Sequence, residues 1–97
     1  MMFAETFEMP NVPLRELDLS VNYIHDAGGE LIAKSLARCP YLTSLNLRRN
    51  NLKDTTAIIL IKSLQTNTAL MNLNLERNVI SPSFKEEIET IIEANRN

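Results

Sequence analysis

Apolar residues recur along this chain at a fixed interval. Leu14, Leu17, Leu19 and Asn22 reappear as Leu42, Leu45, Leu47 and Asn50, and again as Leu70, Leu73, Leu75 and Asn78, each set displaced by 28 residues. The register holds beyond the leucines: Ile24, Leu52 and Ile80 share a column, and Lys34-Ser35-Leu36 recurs as Lys62-Ser63-Leu64. Self-similarity at this period marks a repeat architecture. The units are 14–41, 42–69 and 70–97, preceded by an N-terminal extension or partial cap over 1–13.

Each unit carries two periodicities. The alternation Leu17-Asp18-Leu19 is that of a short strand with one face buried. The second half reads as a helix, with Leu60 and Leu64 one turn apart and Leu31, Ala33 and Leu36 forming the matching apolar stripe in the first unit. Asp26 and Asp54 stand where N-caps belong, and Ser81-Pro82-Ser83 followed by Glu86 offers a hydroxyl, a tolerated proline and a capping-box partner. A single strand-turn-helix unit cannot bury its own leucines, so the units must stack. The predicted fold is α/β: a curved solenoid with a short parallel sheet on one side and helices on the other. Asn22, Asn50 and Asn78 each follow a strand at the turn into the interior. There an amide can pair with backbone groups that would otherwise be orphaned, so these three read as a structural ladder.

The motif Leu-x-x-Leu-x-Leu-x-x-Asn, its 28-residue period and its full helix resemble the ribonuclease-inhibitor type of leucine-rich repeat, over residues 14–97. The segment Leu70-Met71-Asn72-Leu73-Asn74-Leu75-Glu76-Arg77-Asn78-Val79-Ile80-Ser81, with the spacing of Leu64, Asn67 and Leu70, is similar to the repeats of the actin-capping tropomodulins. These spacings also resemble those of cytosolic receptors and Ran GTPase-activating proteins. The resemblance implies a protein-binding scaffold and assigns no individual residue a role. It leaves open a C-terminal structural or capping segment of a longer array, or a regulator of a GTPase or of actin acting through such an array.

Composition narrows the function further. Ten Lys and Arg against twelve Asp and Glu give a net charge of −2, which supplies no general attraction for phosphate backbones or anionic lipid. Neither nucleic acid nor membrane is an expected partner. The longest unbroken apolar run, 57–61, is far too short to span a bilayer. One cysteine, Cys39, excludes an internal disulfide and fits the cytoplasm. No catalytic role, cofactor or metal is expected: His25 and Cys39 fall at opposite ends of one helix, and no metal-ligand spacing occurs. Gly28 and Gly29 lack the context of a phosphate loop and read as close-packing positions. Glu86, Glu87, Glu89 and Glu93 read as a polar outer wall on the last helix.

What remains is a surface. Between the inward leucines, the strands present Glu16, Ser44 and Asn72, then Asp18, Asn46 and Asn74, then Ser20, Arg48 and Glu76, then Val21, Arg49 and Arg77. This concave face is acidic in the first unit and basic in the second and third. Arg48, Arg49 and Arg77, flanked by Tyr23 and Asn46, suit carboxylates or phosphates of a partner; the alternative is self-neutralisation of Arg48 and Arg49 by Asp18 and Glu76. The candidate partner-binding set is Asp18, Tyr23, Asn46, Arg48, Arg49, Asn74 and Arg77. Ile58 joins it as a docking candidate on the convex side, where its column otherwise holds Glu30 and Glu86; Ile61 raises the same choice between helix packing and docking. Leu31 and Ala33, standing where the last unit has Glu87 and Glu89, leave the N-terminal end to be covered by residues 1–13, by upstream repeats or by self-association with another copy.

Overall fold

The structure, a computed structural model, describes residues 15–96. The expected covering of the first unit by Phe3, Phe7 and Met9, and the extension over 1–13, lie outside the described residues. The elements run β1 (Glu16–Asp18), α1 (His25–Leu36), β2 (Ser44–Asn46), α2 (Asp54–Leu64), β3 (Asn72–Asn74) and α3 (Pro82–Arg96). The strands form one parallel sheet in the order β1-β2-β3. Glu16 pairs with Ser44 and Ser44 with Asn72, so the sheet register is the sequence period itself. A parallel pair needs a crossover, and the helix of each unit supplies it.

The core is built column by column. Leu19, Leu47 and Leu75 from the strand ends are buried in one core cluster with Ile32, Leu60, Ile88, Leu36, Leu64 and Ile92 from the helices. Burying one such side chain is worth about 1.5–3 kcal/mol, so the stacked columns hold the units together. Leu45 on the central strand is buried, whereas Leu17 and Leu73 on the flanking strands are only partly so. The helical stripe differs from expectation in the first unit. Leu31 is exposed and Ile32 takes the buried place, because Ile32 shares the column of Leu60 while Leu31 shares that of Ile59. Ala33 does not face the N-terminal end either: it is fully buried, and its carbonyl accepts from Ser63 Oγ on α2.

The helix starts also differ. Asp26 and Asp54 lie inside the first turns of α1 and α2 and do not cap them. Each carboxylate instead accepts from the next unit. Asp26 takes the Lys53 N–H at 3.0 Å and the Thr56 hydroxyl, and Asp54 takes the Ser81 N–H at 2.7 Å and the Ser81 hydroxyl at 2.6 Å. A cap seen locally is thus a tie between neighbours. Pro82 opens α3, its missing N–H costing nothing there; Ser83 falls inside the helix and forms no capping box.

Close packing explains Gly29. A Cβ there would lie 2.5 Å from Leu52 Cδ2 and 2.8 Å from Thr56 Oγ1, both on the next unit, so only glycine lets α1 approach the start of α2. At the far end Arg96 Nε donates to the Met71 carbonyl at 2.7 Å, and its guanidinium pairs with Glu89 and Glu93. Arg96 thereby covers part of the outer edge of β3, beside a groove of about 510 Å³ over Leu73, Leu75 and Ile88.

Candidate interaction surface

The surface is set by what happens where each strand ends. Asn50 is fully buried, and its amide serves the unit before it. Oδ1 accepts the N–H of Asn22 at 2.9 Å and of Ile24 at 3.3 Å, while Nδ2 donates to the Leu19 carbonyl at 2.8 Å. Asn78 repeats this, accepting from Asn50 and Leu52 and donating to the Leu47 carbonyl. Among the described residues Asn22 makes no such tie: its Nδ2 donates to the Ser20 carbonyl of its own turn, and it is exposed. The ladder therefore runs backward, each asparagine tying down the preceding turn. A similar tie sits at the end of α2: Asn67 donates to the carbonyls of Leu36 and Cys39 in the preceding unit, whereas Asn95 donates to that of Leu70 within its own unit. Its sequence signal was the shared column of Cys39, Asn67 and Asn95.

On the concave face, Asp18, Asn46 and Asn74 stand in one column and use their side-chain oxygens locally. Asp18 accepts the Ser20 N–H and hydroxyl, Asn46 the Arg48 N–H at 3.0 Å, and Asn74 the Glu76 N–H at 2.9 Å. These are turns in which the side chain takes the place of a backbone acceptor. The two bonds from Ser20 hold the Asp18 carboxyl below its ordinary pKa, and the two from Ser81 do the same for Asp54.

Beyond these turns the backbone enters the left-handed region. Val21, Arg49 and Arg77, one column, have φ of 55°, 57° and 63°, and Tyr23, His25 and Asn51 have 51°, 62° and 57°. The left-handed bend at Val21 and Arg49 is followed directly by the N–H groups of Asn22 and Asn50 that the ladder captures. For a non-glycine residue such a conformation costs about 1–3 kcal/mol, least for Asn and most for a β-branched side chain. All these residues line one rim, at the passage from strand to helix. Tyr23 is 73% exposed, Val79 61% and Val21 45%. Among the described residues Arg48, Arg49 and Arg77 make no ion pair and no side-chain hydrogen bond, so the alternative, self-neutralisation of Arg48 and Arg49 by Asp18 and Glu76, does not form. Sequence reasoning passed over Val79 and Asn51, although both share the column of Tyr23.

The other candidates fall elsewhere. Ile58 is 48% exposed on the convex side, while Ile59 and Ile61 pack partly against the core. His25 is exposed, its Nδ1 3.1 Å from Asn51 Nδ2. Cys39 is buried past the far end of α1, and burial pushes its thiol pKa up despite backbone hydrogen bonds from Leu42 and Tyr41. Among the described residues no group of His, Cys, Asp and Glu is placed to hold a metal ion, and no helix is long and apolar enough to cross a membrane.

A family model described as a leucine-rich repeat matches residues 11–33 and 38–58, in register with the first two units. Over those residues the chain carries leucine-rich repeats. Its fold is similar to that of the tropomodulin C-terminal domain of Caenorhabditis elegans, with a TM-score of 0.78 at 15% sequence identity. That match covers 92% of this chain and 56% of the other, so the leucine-rich repeats seen here span little more than half of the tropomodulin domain. No curated protein sequence matches the chain. At this identity the likeness is one of fold alone.

Proposed function

We propose that this chain is a non-catalytic protein-interaction module that presents its concave side, with the adjoining turns, to a protein partner. The observation that carries the reading is the set of three arginines, Arg48, Arg49 and Arg77, held on a hydrogen-bonded frame with no ion pair among the described residues. Guanidinium forks pair strongly with planar oxyanions, and a rigid frame lowers the entropic cost of doing so. The single buried thiol suits a reducing, cytoplasmic setting.

The test is affinity capture from the source cells, with the wild-type chain and an Arg48→Ala/Arg49→Ala double variant as baits. Partners retained by the wild type and lost by the variant support the reading. Identical captures from both overturn it. A regulator of a GTPase, as the Ran-type resemblance implies, would instead raise the turnover of an added GTPase, which passive binding leaves unchanged.

A further inference from the structure

We infer that recognition is concentrated on the strand-to-helix rim rather than on the strand face, and that the rim takes a protein segment bearing carboxylates beside apolar side chains. This deepens the interaction-module reading and rests on it.

The strand face has spent much of its polar capacity. The side-chain oxygens of Asp18, Asn46 and Asn74 are engaged by their own turns. The rim is the reverse case. Val21, Tyr23, Arg49, Arg77 and Val79 all point their chemistry at solvent. Four of these five also hold a left-handed backbone that glycine or asparagine adopts with far less strain. Their side chains are exposed, so the fold draws little packing from having valine, tyrosine and arginine there in place of glycine.

Their chemistry describes the ligand. Arg49 and Arg77 stand side by side in one column, one unit apart, with neither ion-paired among the described residues. They call for carboxylates, and the apolar Val21, Tyr23 and Val79 to either side call for apolar neighbours. Tyrosine and arginine are also the residue types that most often anchor protein interfaces. A nucleic acid fits less well, because the chain as a whole is negatively charged and the rim valines Val21 and Val79 offer no group to a phosphate.

The test uses random short peptides displayed on phage and selected on the immobilised full chain. Selected peptides should be enriched in Asp and Glu next to apolar residues. Their affinity should fall about tenfold or more in Arg49→Asn/Arg77→Asn, since two charge-assisted contacts are lost, and should also fall in Tyr23→Asn. Asparagine is chosen because it tolerates the left-handed backbone, and a melting temperature no lower than that of the wild type confirms that each variant folds. A strand-face variant, Ser44→Arg/Asn72→Arg, should bind as the wild type does. Peptides lost only to the strand-face variant overturn the rim assignment but leave the interaction module standing. Failure to select any peptide overturns both. Displacement of the peptides by a single-stranded oligonucleotide at equal concentration overturns the assignment of a protein ligand.

Discussion

Replacing Asn50 by alanine is the most telling perturbation of the frame. The native amide makes four hydrogen bonds: it accepts from the N–H groups of Asn22 and Ile24 and donates to the carbonyls of Leu19 and Arg48. Arg48 keeps a partner in the Val21 N–H at 2.8 Å, so three backbone groups are orphaned. The Leu19 bond is buried, and leaving such a group unpaired costs about 1–3 kcal/mol. The two N–H groups are only partly buried, so water replaces part of their bonds, at roughly 0.5–1 kcal/mol each. The sum is about 2–5 kcal/mol, a large share of the roughly 4–12 kcal/mol expected for a domain of this size. Asn22→Ala makes the sharp contrast, since among the described residues that exposed amide gives one bond of 3.2 Å within its own turn, and its loss should cost under about 1 kcal/mol. Urea denaturation followed by far-ultraviolet circular dichroism measures both. The midpoint should fall steeply for Asn50→Ala and slightly for Asn22→Ala, with unchanged slopes. Equal losses in the two variants, or a wild-type midpoint for Asn50→Ala, would refute the backward-running ladder.

Four further outcomes follow from the same geometry. Gly29→Ala should destabilise by roughly 0.5–2 kcal/mol, as overpacking against Leu52 and Thr56 outweighs the gain in helix propensity; a rise in melting temperature would show that the two helices can separate freely. Val21→Asn should raise the melting temperature, by roughly 0.5–1 kcal/mol of stability, because asparagine accepts a φ of 55° that strains valine. The lowered pKa of Asp54 means that its carboxylate stabilises the fold above the ordinary value of 3.8, and that this contribution is lost as the pH falls through the folded value below it. Stability measured from neutral pH down into that range should therefore drop less steeply in Asp54→Asn than in the wild type. Cys39, buried and with its thiol pKa raised, should react with a thiol reagent far more slowly in buffer than in unfolding concentrations of urea, and equal rates would contradict its burial.

Much of the fold is legible in the chain as a string. The 28-residue displacement of Leu17, Leu45 and Leu73 is also the register of β1, β2 and β3, because in a stacked array each unit meets only its neighbours and one dimension of sequence maps onto one dimension of structure. The strand alternation and the asparagine column follow from the same periodicity. Tertiary structure alone decided where the polar groups go. Asp26 and Asp54 look like caps in any local window, yet their acceptors are filled by residues 27 and 30 positions away, and nothing near them in sequence separates a cap from a tie to the next unit. Leu31 and Ile32 are equally apolar neighbours on one helix; the repeat register sets Ile32 in the column of Leu60, and the packed structure shows that this column, rather than that of Leu31 and Ile59, is the buried one. The arginines carry the same lesson for the site. Their opposite charges, Asp18 and Glu76, are near in the repeat register, but Asp18 is turned into its own bend by Ser20, and Arg48, Arg49 and Arg77 are left to face outward.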